Sequence, residues 1–439
     1  MKVLIYGLNY APELSGTGKY TAEMSQLLTA RGHQVRVVCA PPYYPEWRIA
    51  PGFSAWRYRH DTLQGVRVWR APLWVPAFPG GIKRMLHLAS FALSSLPLLM
   101  RQLFWRPDVV LTIAPTMLCA PAALTLARCT RAKAWLHIQD YEIDAAFDLG
   151  LLKSPRVSRF AHWLERGLLS RFDVVSSISD RMVERAISKG VDKAQTVCVP
   201  NWVDLHAIYP LTQPSIYRSL LGIPKDHTVV LYSGNMGAKQ GIETLAAAAA
   251  ALAERTDISF VFCGAGVAKA DLAARCAGLS NCHMLPLQPV ALLNELLNVA
   301  DIHVLPQRGD VADLVMPSKL TGMLASGRAV IAMAQPGTSL YEVTSDTGVA
   351  VPPDDVDALV AAIAALSADE ARRAILGRAA RRYAEQRLSP AMAIGVLDAR
   401  LSVLVHGEAA VRPADADANG ARRTPGEATK AQVAQSATE

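Results

Sequence analysis

With 439 residues, 51% hydrophobic and 19% charged, the chain is too long for one core and too apolar for a disordered protein; it predicts two or three domains. A net charge of +7 with no Lys/Arg run excludes a surface that tracks nucleic acid, and suits anionic substrates and anionic lipid headgroups. The 7 cysteines show neither a Cys-x-x-Cys pair nor a Cys/His metal spacing, and read as buried thiols of a reducing cytoplasm.

In chain order, the apolar start Met1–Tyr6 is broken by Asn9 and Glu13 too early for a signal peptide, and no cleavage site follows. It predicts a buried first strand in a cytoplasmic protein. Further strands are expected at Val35–Cys39, Val66–Arg70, Val109–Ile113, Ala134–Ile138 and Val174–Ile178. They are runs of Val, Ile and Leu, as parallel strands buried on both faces require. Helical patterns such as Tyr20–Ala30 and Val157–Leu169 alternate with them, which predicts a doubly wound sheet. The alternation restarts with strands at Val229–Tyr232, Ser259–Cys263, Ile302–Leu305 and Ala329–Ala332. Helices are expected between them at Ile242–Ala253, Ala268–Ala277, Pro289–Val299 and Ser318–Ala325. Pro200–Asp204, between the two sets, reads as a hinge. Helix formers continue to Leu404, and from Gly407 the composition predicts a disordered tail.

Leu86–Trp105 is apolar but carries three serines and Pro97, and Arg101 closes its core. A spanning helix needs about 20 mainly apolar residues. The flanking Lys83, Arg84, Arg101 and Arg106, with Trp105, suit instead a helix over 82–106 lying at a membrane surface. The bland alternative is an ordinary buried helix.

Candidate chemistry sits at strand ends. The loop with Glu13, Gly16, Thr17 and Gly18 follows the first strand and opens a helix, where backbone N–H groups can meet an anion. It lacks the Walker A residues and the dinucleotide glycine fingerprint, so the two glycines equally serve a tight turn. His137, Asp140 and Glu142 end a strand; His137 can hydrogen-bond a sugar hydroxyl, and the carboxylates can orient one or take its proton. Gly234, Asn235 and Gly237 form a turn with Lys239 as a point charge, and Gly264 and Gly266 repeat the arrangement one strand on. Met316–Leu320 starts a helix, with Ser318 as the expected cap and Lys319 as a second phosphate candidate.

Taken together, these residues resemble glycosyltransferase family 4, the retaining GT-B class. The points of resemblance are Gly16-Thr17-Gly18, His137, Pro200-Asn201-Trp202-Val203-Asp204, Gly234–Lys239 and Leu314–Gly327, and the likeness runs from about Lys2 to Leu404. Tyr10–Glu13, Ala40–Pro45, Ser54–Tyr58, His137–Glu142 and Pro317–Thr321 resemble the WcaI-type subgroup, assigned as fucosyltransferases of colanic acid assembly. The resemblance implies an α/β fold of two Rossmann-like domains facing across a cleft. It implies an acceptor-binding domain over 1–199, a hinge over 200–204 and a nucleotide-sugar domain over 205–388. A terminal helix over 389–406 returns to the first domain, and a tail follows over 407–439. It further implies a GDP-fucose donor, a sugar on a polyprenyl diphosphate as acceptor, retention of configuration, and neither metal nor cofactor. His137 and Asp140 become catalytic candidates. Gly234, Asn235, Gly237, Lys239, Ser318 and Lys319 become donor-phosphate candidates, and Gly264, Gly266 and Asp313 face donor sugar or nucleotide. Where the family carries a Glu pair, this chain has Leu314 and Gly322, with Asp310 and Asp313 nearby; Asn235 replaces the usual arginine. The rival readings are an inactive nucleotide-sugar-binding subunit and a GT-B-like epimerase.

Overall fold

The computed structural model describes residues 1–13, 16–77, 80–141, 155–237, 240–309 and 317–407. The expectations for Lys239, Asp310, Asp313, Leu314, Glu142 and the tail from 408 fall outside these residues.

The first eight strands are β1 Lys2–Tyr6, β2 Gln34–Cys39, β3 Arg59–Leu63, β4 Val66–Arg70, β5 Val109–Ala114, β6 Lys133–Ile138, β7 Val174–Ser177 and β8 Thr196–Cys198. They form one sheet in the order β3-β4-β2-β1-β5-β6-β7-β8. Every pairing is parallel except β3 with β4. Among the described residues, helices α1 Gly16–Ala30, α2 Gly81–Ser94, α3 Leu96–Trp105, α4 Ala120–Thr130, α5 Pro155–Leu169 and α6 Asp180–Ser188 connect them. A second sheet holds β9 Thr228–Asn235, β10 Ile258–Ala265, β11 Cys282–Leu285, β12 Ile302–Leu305, β13 Ala329–Met333 and β14 Val349–Val351. Its order is β11-β10-β9-β12-β13-β14, all parallel. Its helices are α7 Ile216–Leu220, α8 Ile242–Ala251, α9 Lys269–Arg275, α10 Leu293–Asn298, α11 Lys319–Ala325, α12 Ser339–Thr347 and α13 Val356–Ala368. Helices α14 Glu370–Arg387 and α15 Pro390–His406 close the described chain.

The expected central strands all form, because continuous apolar runs can be buried only inside a sheet covered on both faces. β3, β8, β11 and β14 are additional. All lie toward the sheet edges, where half-exposed residues leave no apolar run to read.

The single helix expected over 82–106 is corrected to two. The break falls at Ser95, buried with its hydroxyl 2.6 Å from Tyr6 Oη, and Pro97 stands in the first turn of α3. A proline there lacks the N–H that a continuing helix needs.

Segments after the strands of one sheet meet segments after the strands of the other. Ser179 Oγ lies 3.1 Å from Ser339 Oγ, and Arg181 Nε donates to Glu342 Oε1 at 3.1 Å. Tyr20 of α1 hydrogen-bonds Thr321 of α11. The carboxyl ends of the two sheets therefore face each other. In such sheets, ligand crevices open where strand order reverses: between β1 and β5 in the first sheet, and between β9 and β12 in the second.

The segment Pro200–Asp204 is pinned on both sides. Trp202 is buried with its ring edge-on to Tyr20, and its Nε1 donates to Glu23 at 2.7 Å. Val203 N donates to Leu388 O at 2.9 Å. Helix α15 contacts the β1–β2 side of the first sheet: Arg31 reaches Ile394 O at 3.1 Å, and His33 Nε2 lies 2.7 Å from Asp398. By length and composition, the stretch Glu370–His406 passes as a membrane span. Pro390 divides it; Ala393, Ile394 and Leu397 are buried, while 28% of its most apolar window is buried in all.

Candidate active site

The second-sheet crevice is built by glycines. β9 ends in Ser233-Gly234-Asn235 and β10 in Cys263-Gly264-Ala265, paired residue for residue. A Cβ at Gly264 would stand 2.0 Å from Gly234 O, and one at Gly266 would stand 2.3 Å from Met236 O. Met236 N donates to Ala265 O at 2.8 Å, tying the two turns together. Gly264 and Gly266, expected to face the donor, thus have a prior duty: they let two backbones touch. Gly234, at φ +139, does face the crevice, since a Cβ there would meet Lys319 Nζ at 3.5 Å. Asn235 is exposed at the strand tip, and its carbonyl accepts from Tyr232 Oη at 2.6 Å. Gly237 leaves room for the Asn235 amide, 3.2 Å from where a Cβ would be.

Lys319 begins α11 directly opposite Gly234. Its Nζ donates to Tyr232 Oη at 3.1 Å and to Gln240 Oε1 at 3.0 Å, and stands 4.5 Å from the centre of the Tyr232 ring. No described carboxylate pairs with it. Loss of hydration pulls its pKa down to about 8. Ser318 is exposed and makes no side-chain cap, which corrects the expected N-cap. The backbone of Ser318 is already helical there, so the hydroxyl does not reach back over the first turn. Gly322 lies one turn on; a larger residue would meet Leu297 Cδ1 at 3.3 Å.

In the first domain, Glu13 is buried. Its Oε1 accepts from Tyr43 N at 3.0 Å and Tyr44 N at 3.1 Å, and its Oε2 from Asn9 Nδ2 at 3.0 Å. Burial raises its pKa against those bonds and the nearby Arg70. A Cβ at Gly18 would lie 2.6 Å from Glu13 Oε2, so this glycine exists to seat the carboxylate. Gly16 starts α1 at φ +59, a left-handed position that favours glycine. Thr17 follows, its carbonyl accepting from Thr21. Glu13 is therefore bonded to the Tyr43–Tyr44 segment and holds its carboxylate away from solvent.

His137 does not stand open to a substrate as expected. It is buried, with Nδ1 2.8 Å from Ser176 Oγ and Nε2 2.9 Å from Gln139 Nε2. Ser176 also accepts from Trp135 Nε1 at 2.8 Å, and Gln139 exchanges paired amide bonds with Asn201 at 3.1 and 3.2 Å. The donors fix the assignment: the Gln139 amide gives a hydrogen to Nε2, so Nδ1 carries the proton toward Ser176. Both nitrogens are spent, and burial lowers the pKa to about 4, so the ring stays neutral. Its part is to fasten β6 to β7 and, through Gln139, to Asn201 of the interdomain segment. Asp140 lies two residues past the end of β6, part-buried, at the border of the described residues. Sequence reading gave Gln139 and Asn201 no role beyond their place in a motif, and Tyr232 and Gln240 none; only the fold brings them to His137 and Lys319.

A glycosyl transferase 4-like domain model matches residues 15–202, and a glycosyl transferases group 1 model matches residues 227–369. The chain is 42% identical over 401 residues, 88% of its own length and 96% of the relative, to a protein of Escherichia coli K12 that carries the name colanic acid biosynthesis glycosyl transferase WcaI. Among solved structures it resembles sucrose-phosphate synthase from Thermosynechococcus elongatus, with TM-score 0.71 and 19% identity over 91% of this chain and 98% of that one. It also resembles Anabaena HepE solved in complex with UDP-glucose, with TM-score 0.65 and 15% identity over 92% and 99%. Two parallel-sheet domains joined at their carboxyl edges, and identity of this depth along nearly the whole chain, lead to one conclusion: the protein belongs to glycosyltransferase family 4, of the GT-B class, and is a glycosyltransferase.

Proposed function

We propose that this enzyme transfers L-fucose from GDP-fucose to a polyprenyl-diphosphate-linked oligosaccharide during assembly of a colanic-acid-like exopolysaccharide, without a metal ion, at the inner face of the plasma membrane. The observation that carries the donor half is Lys319, a desolvated cation facing a glycine turn with no described carboxylate to balance it. A bound diphosphate supplies that balance. As the sugar leaves, negative charge grows on the diphosphate, and a fixed cation there lowers the barrier. Gly234 keeps the approach to Nζ clear. The name of the Escherichia coli relative supports the pathway, and the UDP-glucose complex of HepE supports a nucleotide-sugar as donor. Fucose and the lipid-linked acceptor rest on the subgroup resemblance.

The test is turnover with purified protein and membranes carrying the lipid-linked acceptor, across GDP- and UDP-sugars, with nucleoside diphosphate release as readout. Release from GDP-fucose alone, dependent on acceptor and lost in Lys319→Ala, is the expected result. Release from a UDP-sugar instead would overturn the donor assignment, and acceptor-independent release would overturn the acceptor assignment.

A further inference from the structure

Helices α2 and α3 expose a stripe no part of the described chain covers. Ile82, Met85, Leu86 and Leu93 recur at helical spacing along α2, and Leu96, Met100, Leu103 and Phe104 along α3. Ile82 is 78% exposed, Leu93 68%, Met100 58% and Phe104 91%. The stripe runs into a groove of about 380 Å³ between α3 and α4, lined by Leu93, Leu96, Met100, Leu103, Leu118 and Cys129. That volume is in the range that buries a small-molecule chain, about 300–1,000 Å³. The Thr125 hydroxyl in its wall is spent on Pro121 O at 2.8 Å, so the groove offers hydrocarbon and little else.

The orientation of this groove ties it to the reaction. α4 follows β5, so its first turn lies at the carboxyl edge of the sheet. α3 starts beside Ser95, which touches Tyr6 at the carboxyl end of β1. One end of the groove, at Leu96 and Leu118, therefore lies toward the carboxyl edge of the sheet, and the other end is at Cys129. Near the start of α2, Arg84 is close enough to bear electrostatically on Tyr44, whose N–H holds Glu13. Lys83 beside it is exposed. Cations near the start of α2, with an apolar stripe leading off along α2 and α3, match an anionic head on a long hydrocarbon.

We infer that the α3–α4 groove seats the isoprenoid chain of the acceptor's carrier lipid, with Lys83 and Arg84 beside its phosphates. This rests on the lipid-linked acceptor proposed above, and goes beyond general membrane contact by assigning one chain to one groove. Cys129, exposed at the far end, supplies a direct readout. The intact protein is alkylated with a maleimide in detergent, alone or with long-chain polyprenyl phosphate, geranyl phosphate or phosphatidylglycerol. Polyprenyl phosphate near saturation is expected to slow labelling of Cys129 about tenfold, with the other two giving little protection. Equal protection by phosphatidylglycerol would make this a general membrane face, and protection that grows with protein concentration without lipid would make it a self-association face. Either result, or no protection, overturns the assignment. Leu118→Glu, at a partly exposed site, is expected to raise KM for a long-chain acceptor about tenfold, a loss near 1.4 kcal/mol, without the same rise for a short-chain acceptor. If Cys129 is protected but no sugar is transferred, the groove stands and the acceptor reading fails.

Discussion

Lys319 and His137 are both desolvated and titrate in opposite service. In the proposed donor role, the charged form of Lys319 is the useful one. Free enzyme holds it protonated below about pH 8 and loses the charge above. Donor kcat/KM should therefore be level up to about pH 8 and fall on the alkaline side, and Lys319→Ala should abolish that limb. The same variant should lower kcat/KM by about 100- to 1,000-fold, the usual loss when one charge-stabilising group is removed. A pH profile unchanged in the variant would remove Lys319 from the donor site. For His137 the neutral form is required. Its folded pKa, about 4, lies below the ordinary 6.5, so the unfolded chain takes up the proton first. Stability is then full above pH 6.5 and declines as pH falls toward 4, by on the order of 3 kcal/mol at about 1.4 kcal/mol per unit. Denaturant titrations of His137→Gln across that window should show a shallower decline than wild type; parallel curves would contradict it.

Among the elements, the pair of turns after β9 and β10 is the most exacting. Gly264→Ala must place a methyl group 2.0 Å from Gly234 O, and backbone cannot yield as a side chain does. The expected cost is at least about 1–3 kcal/mol, the range for overpacking. Because the displaced turn carries Gly234, donor KM should rise as well. A melting temperature and donor KM both equal to wild type would show that the turns are not in contact. The sequence showed these glycines as a repeated phosphate-loop pattern, and could not separate a glycine that admits a ligand from one that admits a neighbouring strand. The difference is one of backbone distance, which only the paired sheet defines. The α2–α3 break was hidden for a related reason. Pro97 alone was visible, but the bond between Ser95 and Tyr6 that places the corner joins residues 89 apart.

At the scale of the whole molecule, Trp202 holds the interdomain segment to α1 through Tyr20 and Glu23, while Asn201 continues the polar chain from His137. Trp202→Gly removes a fully buried aromatic side chain and a hydrogen bond. It should cost about 3–5 kcal/mol, as loss of a buried aromatic does, and broaden small-angle scattering of the free enzyme if the segment loosens. An unshifted melting temperature would show that this contact does not hold the domains. The sequence by itself determined the two parallel sheets and the family, because buried strands and strand-end glycines are local patterns. It also marked Lys319 as a charge in need of an anion. The tertiary structure alone decided that His137 faces inward, that Glu13 bonds the Tyr43–Tyr44 segment, that Gly264 answers to Gly234, and that an apolar groove lies between α3 and α4. Each of these is a relation between chain segments far apart in sequence. Burial and counter-charge belong to the neighbours a side chain acquires on folding.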